Sequence, residues 1–253
     1  MAWWDDRVFI VELLEPLHEK LVGGVRDAIT EATGNGSTHL DQCGAAYTGN
    51  RATLPDDINA LIAFLEPDAS FGPFQGLPGA VLPREFFWSR FHTLKVEIGV
   101  SQGWGARIPQ QGQQGQQGQA RRRLRTLNEK ADAWRQCPGV EYVLCVRISQ
   151  RLRFRECRLF SIVDGQFKDP DMQHAPIDNN TVVQFDPWRL LWIPLGANLP
   201  AGFNNPIQFN LFDVVDPIIQ REQVDVALEQ DAVARAQAAA AAGQPPRRRQ
   251  RRH

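Results

Sequence analysis

Leu94-Lys95-Val96-Glu97-Ile98-Gly99-Val100-Ser101-Gln102 alternates along its length. Successive side chains leave a β-strand on opposite faces. Leu94, Val96, Ile98 and Val100 therefore share one side, and Lys95, Glu97 and Gly99 the other. The alternation predicts a half-buried strand with an apolar inner face and a polar outer one. A carboxylate in the middle of the polar face, followed by the glycine-rich exit Gln102-Gly103-Trp104-Gly105, makes this strand the place to expect a site.

Working outward, Pro16 can open a helix, because the N–H it lacks would be unpaired there anyway. Leu17, Leu21, Val25, Ala28, Ile29 and Ala32 recur at helical spacing, and Gly34-Asn35-Gly36 ends the run. Gly23-Gly24 weakens the middle of this helix and points to close packing there. Glu19 and Glu31 are read as solvent-facing charges. Ile58–Leu65 has strand length, residues 72–83 read as a Pro- and Gly-rich loop, and Phe86, Phe87, Trp88 and Phe91 read as core. Beyond the central strand, residues 108–120 hold the low-complexity run GQQGQQGQ, which cannot build a core and is expected to be a disordered loop. Arg121 to Gln136 is predicted to be a helix, with Leu124, Leu127, Ala131 and Trp134 along one side. Val140–Ile148 and Leu152–Val163 read as a hairpin, with Asp164-Gly165 as the next turn. Thr181–Phe185 and Leu190–Leu195 are further strand candidates. Asp216-Pro217 introduces a last helix running to about Ala242, which Val224, Ala227, Leu228 and Ala232 could dock.

One helix before the sheet and one between the central strand and the next imply an α/β (α+β) fold, with a mixed central sheet flanked by helices. The expected layout is a domain over residues 1–215, a C-terminal helix over 216–242, and an Arg-rich tail over 243–253.

The 253 residues are 43% hydrophobic with 7 Trp and 14 Phe, enough for a packed core. The formal net charge of -1 names no partner. Cys43, Cys137, Cys145 and Cys157 form no C-x-x-C pair, so free thiols in a reducing compartment are expected rather than disulfides or zinc. Asp5 and Asp6 ahead of a short apolar run are the wrong order for a signal peptide, and no 18-residue apolar stretch occurs. These features predict an intracellular protein, nuclear or cytoplasmic, with no membrane partner.

Three groups can carry chemistry: Asp68, Glu97 on the central strand, and Lys130 on the following helix. Carboxylates on neighbouring strands can share a hard divalent cation such as Mg²⁺. A lysine beside them can orient a water or offset developing charge. Lys95 is a second candidate, because it shares the strand face of Glu97. Against these stand plainer roles: Asp68 after Pro67 can shape a turn, and Glu97 can pair with an arginine.

The stretches Pro67-Asp68-Ala69-Ser70-Phe71, Val96-Glu97-Ile98-Gly99-Val100-Ser101-Gln102, Lys130-Ala131-Asp132-Ala133-Trp134 and Pro138-Gly139-Val140-Glu141-Tyr142-Val143-Leu144 occur in that order. Together they resemble the PD-(D/E)XK nuclease-like superfamily, in particular the Uma2-type restriction endonucleases and their fungal relatives. The resemblance covers roughly residues 16–165. It implies a restriction-endonuclease-like fold, DNA as substrate and a Mg²⁺ (or Mn²⁺) cofactor. It makes Asp68 and Glu97 metal ligands, with Lys130 or Lys95 as the catalytic lysine. The superfamily's usual lysine stands two residues after the second carboxylate, where this chain has Gly99. The rival expectation is a catalytically inactive nuclease-fold protein that serves as a nucleic-acid-binding or protein-interaction module.

Arg151, Arg153 and Arg155 share one face at a period of two and could track a phosphate backbone, or could be a solvated strand face. Gln102 is a further candidate nucleic-acid contact. The tail Arg247–His253 reads as a nuclear-localisation or nucleic-acid patch, or as an inert charged end.

Overall fold

The computed structural model describes residues 2–4, 7–9, 16–34, 38–44, 66–84, 86–100, 102–105, 126–149 and 152–242. The expected strand Ile58–Leu65, the loop 108–120, Arg151 and the tail 243–253 lie outside these residues.

Strands β1 (Ala2–Trp4) and β2 (Arg7–Phe9) pair with each other. Helix α1 (Pro16–Ala32) follows. Strands β3 (Leu40–Gln42), β4 (Ala69–Pro73) and β5 (Leu94–Val100) are antiparallel neighbours. Helix α2 (Leu127–Arg135) precedes β6 (Tyr142–Ile148), which lies parallel to β5. Strand β7 (Arg155–Val163) returns antiparallel to β6 and carries β8 (Gln166–Phe167) and β9 (Ala175–Pro176). The result is a mixed seven-stranded sheet with β5 inside it. Strand β10 (Val182–Phe185), helix α3 (Pro187–Leu190), strand β11 (Ile207–Asn210) and helix α4 (Leu211–Ala242) complete the described chain, with β10 and β11 paired.

Two apolar clusters cover the two faces of this sheet. Leu94, Val96 and Ile98 of β5 join Leu17, Leu21, Val25 and Ile29 of α1 and Leu211, Val215 and Ile219 of α4. On the other face Val143 and Cys145 of β6 join Leu127, Ala131 and Trp134 of α2. Strand β5 is therefore not half-buried as its alternation predicts: Lys95 and Glu97 are both 0% exposed. A parallel strand pair needs a crossover, and the crossover helix covers the face that would otherwise meet water.

The close approach expected at Gly23-Gly24 is found at Gly24, where a Cβ would lie 3.0 Å from Ile218 and 3.2 Å from Val214 of α4. Asp164 and Gly165 both take positive φ (49° and 70°), as a tight β7–β8 hairpin requires.

Several expectations are corrected. Strand β4 runs through Pro73, into the predicted loop. Of the aromatic run only Phe91 is fully buried, while Phe87 is 59% exposed. Leu190–Leu195 is not a strand: Asp186 Oδ1 accepts from the N–H groups of Trp188 and Arg189, and Pro187 follows at the first helical position, so a short helix starts instead. Helix α4 begins at Leu211 rather than Asp216, because Asn210 Oδ1 accepts from Phe212 N at 2.9 Å and Leu211, Val215 and Ile219 are buried. Val224 and Leu228, expected to dock this helix, are 58% and 60% exposed.

No helix among the described residues is long and apolar enough to cross a membrane. The four cysteines are free, with Cys137, Cys145 and Cys157 buried.

Candidate active site

Glu97 points into the layer between the sheet and α2. Helix α2 is positioned from its first turn. Thr126 and Glu129 form a capping box, and Gly103 and Trp104 at the exit of β5 accept hydrogen bonds from Leu127 N and Asn128 N. Leu127, Lys130 and Trp134 then recur at helical spacing on the face that meets β5. Leu127 lies against Gly99, where a Cβ would be 3.2 Å from Leu127 Cδ1 and 3.2 Å from Gln102 Cβ. The place where the superfamily pattern has its lysine is thus filled by a leucine. One turn on, Lys130 Nζ donates to Glu97 Oε2 at 2.6 Å. A further turn on, Trp134 Nε1 donates to Glu97 Oε1 at 2.6 Å.

Asp68 approaches from β4. Its backbone N–H donates to Val96 O at 3.1 Å, which continues the β4–β5 pairing by one residue. Its side chain then takes over as acceptor, with Oδ2 2.5 Å from the N–H of Ile98. Asp68 therefore sits on the peptide group that joins Glu97 to Ile98. Its other oxygen is met by α1: His18 Nε2 lies 3.2 Å from Oδ1.

Burial is the largest influence on Glu97 and pushes its carboxyl up to about 7, against the pull of Lys130 and with a further push from Asp68. Burial also opposes the charge on Lys130, but Glu97 and Asp68 outweigh it and raise its pKa above the ordinary value. Lys130 is accordingly a cation throughout the neutral range. Lys95, on the same strand face, lies deeper. Its Nζ is 2.6 Å from His92 Nδ1 and 4.7 Å from the centroid of the Trp134 ring. Burial lowers this ammonium to about 7 and the His92 imidazole to about 2.

The hydrogen bond to Asp68 is the largest influence on His18 and raises it from 6.5 to about 9, against burial. A raised folded-state pKa stabilises the protein fully below pH 6.5, and that stabilisation is lost as pH rises through 9. Wild type is expected to lose up to about 3 kcal/mol relative to His18→Gln between those limits. Urea unfolding of both proteins at pH 6, 7.5 and 9.5 measures the difference, and a pH-independent gap would refute the pairing.

The structure thus brings Asp68, Glu97 and Lys130 together and places Lys95 beneath them. It does not do the same for the basic candidates. Strand β7 starts at Arg155, and Leu152 (φ 55°) and Arg153 lie in the preceding turn, so the expected common strand face does not include Arg153. Arg155 is turned to structural work: it pairs with Asp216, donates to Ile177 O at 3.1 Å and lies over the Phe212 ring. The backbone carbonyl of Gln102 accepts from Arg147 Nε at 2.9 Å, and its side-chain Oε1 is buried with no hydrogen-bond partner among the described residues.

Two members of the site escape the sequence reading. Trp134 has a usable signal, four residues after Lys130 on the same helical face. His18 has none, because it lies beside the apolar stripe of α1 and meets Asp68 only through tertiary packing.

The donor set suits a hard divalent cation, since Mg²⁺ uses one or two carboxylates and otherwise water. Each oxygen of Glu97 and Asp68 that accepts one hydrogen bond retains a second lone pair. Among the described residues no three His, Cys, Asp or Glu side chains gather into a metal cage, so an ion here would rest on these two carboxylates.

No protein-family model matches the chain, no curated protein matches its sequence, and no solved structure matches its fold.

Proposed function

We propose that the chain has a restriction-endonuclease-like fold and is a metal-dependent, endonuclease-like phosphodiesterase acting on DNA. The observation that carries this reading is the convergence of Asp68 and Lys130 on Glu97, from a strand and a helix far apart in sequence. A second carboxylate beside the buried Glu97 pushes its pKa further up and is costly to hold there, and such clusters concentrate at functional sites. The mixed sheet, with a helix crossing between β5 and β6, agrees with the fold that the motif resemblance implies.

Asp68 and Glu97 would hold Mg²⁺ or Mn²⁺. When bound, such an ion offsets charge on a phosphate oxygen and lowers the pKa of a coordinated water. Lys130 stays protonated at neutral pH, so its part is to donate: it offsets charge on the phosphate or gives a proton to the leaving oxygen. Glu97 would meet such an ion as a carboxylate, because a bound cation favours the charged form that burial opposes. Gly99 does not exclude the activity, since Lys130 supplies the ammonium that position 99 lacks.

One observation favours the non-catalytic module instead. His18 and Lys130 already match Asp68 and Glu97, so the cluster is balanced in charge without a further cation. Plasmid nicking separates the two readings. Wild type with Mg²⁺ or Mn²⁺ is expected to convert supercoiled to open-circular plasmid, and Glu97→Ala to do so at least ~100-fold more slowly. Absence of nicking together with retention of DNA in a gel-shift assay assigns the module.

A further inference from the structure

Glu97 is held by two donors from one helix, and only one of them belongs to the reacting groups. Lys130 is 13% exposed in its side chain and meets Oε2. Trp134 is fully buried and meets Oε1 from within. The indole is itself gripped from its other side, where the ring face carries Lys95 and Lys95 meets His92. A buried indole N–H needs an acceptor, and the one that Trp134 meets is the Glu97 carboxylate, at 2.6 Å.

We infer that Trp134 is a positioning residue for Glu97, fixing the orientation in which the carboxylate meets a divalent cation. The inference rests on the metal-site reading proposed above. A carboxylate with a free side-chain torsion must be ordered when it binds an ion; one whose Oε1 is already tied to an indole has lost that freedom beforehand. Outer partners of this kind commonly change metal affinity about 10- to 100-fold when removed. Lys95 and His92 act one step further back, by holding the ring.

Trp134→Phe removes the N–H and keeps a ring. The expected result is Mn²⁺ binding about 10- to 100-fold weaker than wild type by titration calorimetry. A second measurement leaves the fold untouched. In wild-type protein the indole N–H resonance of Trp134, identified by its loss in Trp134→Phe, should shift as Mg²⁺ is added. If wild type binds Mn²⁺ and Trp134→Phe binds it equally well, or the indole signal stays put while the ion binds, the positioning role is overturned and the metal site stands. If wild type binds no divalent cation, the metal-site reading itself falls and takes this role with it. Should Trp134→Phe fail to fold, the shift in wild type decides alone, the signal then being assigned by selective labelling.

Discussion

Glu97→Leu is expected to lower the stability of the protein by about 3–5 kcal/mol, and adding Lys130→Met to restore most of that loss. The physical reason lies in what the single change leaves behind. Glu97 is 0% exposed, and Lys130 is 13% exposed in its side chain. With leucine at 97 the Lys130 ammonium and the Trp134 N–H both face an apolar wall, and a buried polar group without a partner costs far more than the hydrogen bond contributed. Methionine at 130 removes the stranded charge and fits the same space. Chemical unfolding of the single and double variants reads this out. A double variant as unstable as Glu97→Leu would mean that the carboxylate is held for reasons other than its pairing with Lys130.

Gly72→Ala should destabilise by more than about 3 kcal/mol and abolish the site with it, although Gly72 touches neither carboxylate. A Cβ at this position would lie 2.1 Å from Phe91 O, a backbone atom that cannot swing aside. Phe91 leads into β5, and β4 pairs with β5 in the register Ala69↔Val96, Ser70↔Lys95 and Phe71↔Leu94. Pushing the two segments apart disturbs the register that sets Asp68 on the Glu97–Ile98 peptide. The thermal unfolding midpoint should fall and, on the metal-site reading proposed above, Mn²⁺ binding should be lost with it. A variant that loses stability but binds Mn²⁺ as wild type does would show that the site does not depend on this register.

Much of the architecture is legible in the sequence, for identifiable reasons. The alternation of Leu94–Val100 marks a strand, Pro16 and Gly34 bracket α1, and Asp164-Gly165 marks the β7–β8 turn, because each reflects local steric preference. The errors fall where a local preference is overridden. Leu190–Leu195 is apolar enough for a strand, but the cap at Asp186 starts a helix first. Pro217 looks like a helix opener, yet burial of Leu211 and Val215 carries the helix back past it.

The sequence by itself determined which residues could do chemistry: two carboxylates, a lysine on a helix, and a glycine where a lysine might stand. Those are facts of side-chain type and spacing. Only the tertiary structure decided how they act together. Strand alternation assigns Lys95 and Glu97 to one face, but not whether that face meets water. The crossover helix closes it, and that burial pushes Glu97 up and Lys95 down. The same helix fills the space above Gly99 with Leu127 and delivers Lys130 and Trp134 to the two oxygens of Glu97. His18 reaches Asp68 because α1 packs across the sheet, a contact between segments that no local pattern encodes.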